Sequence, residues 1–321
     1  STRYAYFFFM LGMSGVLASQ FAKVSARAEA MNADLEAAVE ESISALAAAA
    51  SERLRLNSGI AAANASLTQA MIESERDVQV AAAVQRGFFR KNAPPSPAWD
   101  IAYVFEPASG LSGDFYDFYE KAGSLSGFVL GTVSGSGVAS GLVTVLARNI
   151  FNRGIQEMEE QPLASMLAEI NRRLVRELAV VGNTISCAFM KLQDDRVEYV
   201  NAAHTDALLR RSGSREVSVI KYGKGSNKSP PLGREDFESG IGALRFSMKQ
   251  GDAVLAYSAG LVSSLDAKGV PFGVNRLAAA LGRADPETAE SILASVMIDF
   301  RNAMSGARRL GDITAMVLVK R

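Results

Sequence analysis

The chain has 321 residues, 48 % of them hydrophobic and 21 % charged, with 34 Lys and Arg against 34 Asp and Glu. That length holds one or two ordinary domains plus a helical extension, and the balanced charge provides neither a basic face for nucleic acid nor an acidic tail. The one cysteine, Cys187, excludes an internal disulfide framework and fits a reducing compartment.

The first residue is Ser rather than Met, so the sequence reads as a processed or trimmed piece of something longer. Tyr4 to Ala22 carries no charge and includes Phe7-Phe8-Phe9-Met10-Leu11. An apolar helix of about 20 residues spans the hydrocarbon layer of a membrane. Residues 1–24 are therefore predicted as a transmembrane helix. Lys23 and Arg27 follow it and only Arg3 precedes it, so the positive-inside rule puts the remainder in the cytoplasm, with the chain held at the inner (cytoplasmic) membrane. The alternative is an apolar helix packed against a part of the protein not included here.

Residues 25–93 read as a helical, coiled-coil linker. From Ser25 to Gln85 there is no proline and one glycine, Gly59, which beside Asn57 and Ser58 marks a kink or break. Large apolar residues recur at Leu35, Val39, Ile43, Leu46 and Leu54, and later at Ile60, Leu67, Met71 and Val78. Steps of three, four and seven make one helical face, and the spacing predicts a homodimer through residues 25–90. The rival reading is a long surface helix folded back on the globular part.

Pro94-Pro95-Ser96-Pro97 ends the helical region, because proline cannot donate to the helix ladder and disfavours helix before itself. In the domain at 94–321, strands are predicted at 101–105, 115–119, 128–133, 184–192, 197–202, 207–211, 217–220, 243–247, 253–258 and 313–319, from β-branched and aromatic content between turn residues. Helices are predicted at 139–153, 162–180, 274–281 and 286–304. Cys187 falls in an apolar run and reads as a buried strand residue. Hairpin-paired strands with helices able to cover them imply an α/β (α+β) fold, two packed sheets with helices outside.

Four short segments carry the chemistry: Ser112-Gly113-Asp114-Phe115-Tyr116-Asp117, Gly131-Thr132-Val133-Ser134-Gly135-Ser136-Gly137, Ser258-Ala259-Gly260 and Gly311-Asp312-Ile313-Thr314. In that order they resemble the motifs of SpoIIE-type metal-dependent serine/threonine phosphatases of the PPM family, which read roughly GGDFYD, DVSGHG, TDG and DDIT. Further marks are Val84-Gln85-Arg86-Gly87-Phe88-Phe89, Glu106-Pro107-Ala108, Asn201-Ala202-Ala203-His204, Pro231-Leu232-Gly233, Gly251-Asp252 and Phe272-Gly273. The resemblance runs from about Val78 to Arg321. It implies a four-layer α/β/β/α sandwich preceded by a long N-terminal helix.

Members of that family use two manganese or magnesium ions with a shared water, which attacks the phosphoryl group in line. Hard cations need anionic oxygens. By the resemblance, Asp114 stands where the first metal-binding Asp stands, and Gly113 where backbone approaches the metal. Thr132, Ala259 and Gly311 stand where three further Asp ligands would be. Asp117 and Asp312 are secondary candidates; Asp312 is expected to face away, since a one-residue shift on a strand reverses a side chain. A strand-end residue bonded to a loop is the preferred reading of Asp117, and a turn cap that of Asp312.

Loss of three ligands implies a pseudophosphatase with no tightly held cofactor, manganese or magnesium entering only if the domain is active. The expected function is a membrane-tethered signalling protein that binds a phosphoprotein or an anti-sigma-factor-antagonist type of partner. The alternatives are an active phosphatase with an atypical metal site and a structural dimerisation module. His204, the only histidine, reads as a turn residue, and with one Cys it leaves zinc without ligands. The loop with Lys221, Lys224 and Lys228 reads as solvated, and a partner-holding role for it or for Arg308-Arg309 is a lesser expectation.

Overall fold

The computed structural model describes residues 2–321 apart from 109, 136, 179–181, 222–227, 286 and 306–310. Lys224, Arg308, Arg309 and Ser136 lie outside the described residues. The chain divides into two compact units, Ser1–Ser74 and Glu75–Arg321.

The first unit belongs to helix α1, which spans Thr2–Phe88. No break occurs at Gly59, against expectation. A glycine in a helix interior costs about 1 kcal/mol relative to alanine, and the alanine-rich sequence on both sides is a strong helix former. Phe7, Leu17, Leu35, Ile43, Leu54 and Leu67 are all exposed on it. Near its N-terminus α1 contains an 18-residue stretch of mean hydropathy 1.4, long and apolar enough to cross a membrane.

The second unit is built on two five-stranded antiparallel sheets. One is ordered β1 (Trp99–Glu106), β10 (Ile313–Lys320), β9 (Ala253–Tyr257), β6 (Leu208–Arg210), β7 (Val217–Val219). The other is ordered β2 (Asp114–Lys121), β3 (Ser124–Val133), β4 (Ile185–Gln193), β5 (Arg196–Ala202), β8 (Leu244–Ser247). Helices α2 (Gly137–Glu157) and α3 (Leu163–Leu178) cover the second sheet, and α5 (Gly273–Arg283) and α6 (Ala289–Ala303) cover the first. In α3 the apolar residues Leu163, Met166, Leu167, Ile170, Leu174 and Leu178 recur every three or four positions and are all buried, so the helical period itself lays that face on the sheet.

Strand β2 shows how the layers are made. Successive side chains of a strand point to opposite faces. Tyr116 and Phe118 meet Tyr103 of β1 with ring centroids 4.7 and 5.2 Å apart, which fills the space between the sheets. Phe115 points the other way, to Phe151 of α2 at 5.6 Å. Asp114 shares the face of Tyr116, and the strand period therefore puts its carboxylate between the sheets.

The unit starts at Glu75, before the proline run, because the last turns of α1 are part of its packing: Ala82, Gln85 and Phe89 are buried. Phe89 lies 5.0 Å from Phe105 and 5.4 Å from Tyr116. The short α4 (Ala259–Ser263) and a 3-10 stretch at Glu235–Gly240 have no counterpart in the predicted elements. Both are too short to show a period.

Candidate functional site

Four chain segments meet at one end of the sandwich: the start of β2, the end of β3, the turn from β9 into α4, and the turn before β10. They enclose a pocket of about 310 Å3 lined by Gly113, Asp114, Thr132, Ala259, Gly311 and Asp312, among others. The four motif segments thus come together, and Thr132, Ala259 and Gly311 line the same cavity as Asp114.

Register explains the first pair. Asp114 lies directly opposite Thr132 in the β2–β3 ladder. The Thr132 hydroxyl donates to Asp114 Oδ1 at 2.7 Å, and the Thr314 hydroxyl, from the other sheet, donates to Oδ2 at 2.7 Å. Burial pushes the Asp114 carboxyl up to about 6; the hydroxyls of Thr132, Thr314 and Ser258 oppose that shift and the charge of Asp312 adds to it. Hydroxyl donors favour the ionised form but do not cancel the cost of burial.

Asp312 does not face away. It precedes β10, which begins at Ile313, so strand alternation does not govern it and the turn directs it into the pocket. Its Oδ1 accepts from the Ala108 amide at 2.7 Å, and its Oδ2 accepts from the Gly113 amide at 2.8 Å and the Ser112 hydroxyl at 2.9 Å. These partners lie across the site on the β1–β2 connection, so Asp312 is a clamp on that connection and not a local turn cap. Ser112 Oγ also accepts from the Asp114 amide at 3.0 Å and links the two acids. Gly260 is needed where it stands: a Cβ there would lie 1.9 Å from the Asp312 carbonyl oxygen. Gly113 lines the pocket, and its carbonyl accepts from the Val133 amide at 2.8 Å.

Asp117 is outside the pocket. It sits in the middle of β2 and points under α2, where Arg148 approaches to 2.9 Å and Arg90 to 3.7 Å. It is a buried ion-pair residue, not a strand-end residue bonded to a loop. Its carboxyl is raised by burial, with Arg148 pulling the other way. Glu106 pairs with Arg301 at 2.6 Å. His204 is a turn residue, with its amide donating to Asn201 Oδ1 at 2.7 Å and its ring Nδ1 3.1 Å from Ser186 Oγ. Lys228 is not simply solvated: it donates to the His204 carbonyl at 2.6 Å and pairs with Asp206 at 2.9 Å.

A two-cation centre needs several anionic oxygens, including one shared between the ions. Among the described residues no three of His, Cys, Asp and Glu come together to hold a metal ion. Among its described residues the pocket has two carboxylates, those of Asp114 and Asp312. These residues do not fit a pair of divalent cations.

Ser112, Thr314 and Gln85 escaped the sequence reading as functional residues, although each stands in a quoted segment. Gln85, 1 % exposed, donates through Nε2 to the Ser112 and Gly141 carbonyls and to Thr144 Oγ1 at 2.8–2.9 Å, and accepts from the Ser112 amide at 3.0 Å. The signal was an amide directly after the apolar run Val80-Ala81-Ala82-Ala83-Val84.

The SpoIIE family (Stage II sporulation protein E) matches residues 123–321. Phosphoserine phosphatase RsbP of Bacillus subtilis is 26 % identical over 208 residues, 60 % of this chain and 47 % of RsbP, so the chain spans about half the length of that relative. The SiaA-PP2C domain of Pseudomonas aeruginosa superposes with TM-score 0.64 at 17 % identity, over 78 % of this chain and 98 % of that one. The catalytic domain of the serine/threonine phosphatase PstP, solved in complex with 2 manganese ions, superposes with TM-score 0.50 at 15 % identity, over 70 % of this chain and 98 % of that one. Two antiparallel sheets between helix pairs, motif segments gathered at one end, and a family match over most of the folded unit lead to one assignment: the chain belongs to the SpoIIE family and has the PP2C-type phosphatase fold.

Proposed function

We propose that this is a membrane-tethered signalling protein whose SpoIIE-type domain binds a phosphoprotein partner and does not hydrolyse it by metal-dependent chemistry. The observation that carries the reading is the state of the pocket. Where the family places carboxylates, this chain has Thr132, Ala259 and Gly311, and Asp114 and Asp312 are satisfied by hydroxyls and amides. A partner of the anti-sigma-factor-antagonist type follows from the family resemblance. An apolar stretch ahead of Lys23 and Arg27 supports a membrane anchor with the domain on the cytoplasmic side. The apolar stripe along α1 supports pairing of two copies.

The test is a calorimetric manganese titration of the chain beside the variant Thr132→Asp, Ala259→Asp, Gly311→Asp, with p-nitrophenyl phosphate turnover measured on both. No binding to the native chain up to millimolar metal, with binding by the variant, upholds the reading. Micromolar binding and turnover by the native chain overturn it. A second reading, an active phosphatase with one atypical cation, has a specific observation behind it: Asp312 turns into the pocket beside Asp114. Magnesium or manganese would then be held by those two acids.

A further inference from the structure

Among the described residues the two sheets end in four strands, and β1 has the longest regular edge. Strands β7 and β8 are three and four residues long, and β2 shifts register between Tyr119 and Glu120. Strand β1 pairs with β10 over eight residues without a shift, and it contains neither proline nor lysine, two usual means of blunting an edge. One bond fixes the phase of that ladder. The Arg321 amide donates to the Ala98 carbonyl at 3.0 Å, so Ala98 and every second residue after it turn their backbone groups towards β10. The backbone groups of Trp99, Ile101, Tyr103 and Phe105 turn outwards. Ser96 Oγ takes the Trp99 amide at 3.2 Å, which closes the start of the edge. Beyond it Ile101 and Tyr103 face out.

A groove of about 630 Å3 lies along this edge, with Asp100, Ile101, Ala102 and Tyr103 as its floor. Its walls stand on opposite faces of the sheet. The Asp100 side chain reaches one wall, where it accepts from the Ala289 amide at the start of α6 at 2.9 Å. The Tyr103 hydroxyl reaches the other, where it donates to the Lys91 carbonyl at 2.7 Å. Asp100 and Tyr103 are three apart, so their side chains leave opposite faces of the strand. The space between the walls therefore continues the plane of the sheet. A second hollow, of about 510 Å3, shares Ala93, Asp100, Ile101 and Arg321 with the groove and goes on past Trp99 to Ser124. The combined space suits a long occupant. Water solvates such an edge in the free protein, and an occupant that replaces it with a row of backbone hydrogen bonds must itself be an extended chain.

The walls carry opposite charges. Lys91 stands on one and Glu290 on the other, both exposed. Among the described residues neither is in an ion pair, whereas Asp100 and Arg321 between them are paired at 2.9 Å. Successive side chains of an added strand point to alternate walls. We infer that β1 takes an extended segment of a partner protein as an added strand, with acidic side chains on the Lys91 side and basic ones on the Glu290 side. A second copy of the chain fits poorly. Its own β1 lies between the same two walls, and these would collide before the edges came within the roughly 4.8 Å of a strand pair. Strand β1 ends at Glu106, two residues before Ala108 on the rim of the Asp114 pocket, so one partner can span both places. The groove is independent of whether that pocket hydrolyses phosphate.

The test uses the full chain in detergent and a blocked octapeptide alternating glutamate and lysine, which as a strand puts its acids on one face and its bases on the other. The control is the same peptide N-methylated throughout, which keeps the side chains and removes the backbone donors. Saturable binding by fluorescence anisotropy is expected, with a Kd on the order of 100 μM, and the control is expected to bind about tenfold or more weakly. Amide hydrogen exchange followed by NMR should slow at Ile101 and Tyr103 and stay unchanged at Ala102, which already faces β10. Lys91→Glu and Glu290→Lys should each weaken binding about 3- to 5-fold. The two together should restore it, because the peptide meets the exchanged charges by shifting one residue. Equal binding of the control overturns the inference, as does protection that misses Ile101 and Tyr103, or a titration that does not saturate. Protection of those two amides in the free chain that grows with protein concentration would assign the edge to a second copy and overturn it as well.

Discussion

At the scale of single residues, two buried titratable groups pull stability in opposite directions with pH. Asp114 has its carboxyl raised to about 6 from 3.8, so the fold prefers it neutral. Its ionised form is tolerated at a cost that sets in as pH rises from 3.8 to about 6, at most ~3 kcal/mol. His204 has its ring lowered to about 4 from 6.5, first by burial and then by the charge of Lys228. The unfolded chain binds that proton more readily, so stability is lost as pH falls from 6.5 to about 4, again by at most ~3 kcal/mol. Between pH 4 and 6 the two slopes offset each other in the native chain. Urea midpoints over that window should therefore stay nearly flat for the native chain, fall on acidification for Asp114→Asn, and rise on acidification for His204→Asn. Parallel curves for all three would refute the assignment. Asp114→Asn should also be more stable than the native chain at pH 7.5, whereas Thr132→Val, which strips Asp114 Oδ1 of its donor, should lose about 1–3 kcal/mol.

At the scale of elements, the sandwich is tied together by polar residues that cross between elements. Asp117 of β2 is fully buried against Arg148 of α2, at 2.9 Å. Removing one partner of such a pair leaves a buried charge and costs about 3–5 kcal/mol, whereas replacing both by apolar side chains is often neutral. Asp117→Leu should thus be strongly destabilised in a denaturant melt, and Asp117→Leu with Arg148→Met should recover most of the loss. Gln85 does the same for α1, α2 and the Ser112 connection. Gln85→Ala orphans the Ser112 amide and is expected to cost about 2 kcal/mol by the same melt. These ties also mark the limit of what the sequence reveals. The strand pattern of β2 was legible because its period is local. The Asp117–Arg148 pair was not, since its members are far apart in sequence and nothing local joins them. Asp312 was misread because the period of β10 was carried one residue past its start. Gly59 was misread as a break because a single glycine weighs more in a pattern than in the free energy of an alanine-rich helix.

At the scale of the whole molecule, the folded unit and the long helix pose different questions. The unit has its own core and needs no partner to bury Phe115, Phe151 or Phe189. Helix α1 leaves Leu35, Val39, Ile43 and Leu46 exposed, at 54–69 % of their surface. Their spacing by four, four and three is the repeat that a second helix buries, and each covered Leu, Ile or Val side chain is worth about 1.5–3 kcal/mol when fully buried. Alanine dilutes the stripe, so the pairing should be moderate in strength. Light scattering on the detergent-solubilised chain is expected to give twice the protomer mass, falling to a single protomer in Ile43→Asp with Leu46→Asp. The thermal melt of the sandwich should be unchanged in that variant, because neither residue belongs to the unit that begins at Glu75. A variant that stayed dimeric would place the contact elsewhere and leave the stripe without a partner in the assembly. A variant that became monomeric with a lowered melt would mean that pairing along α1 also supports the folded unit. In that case a change in the stalk could be felt at the pocket through Gln85, whose hydrogen bonds join the end of α1 to the connection that Asp312 clamps.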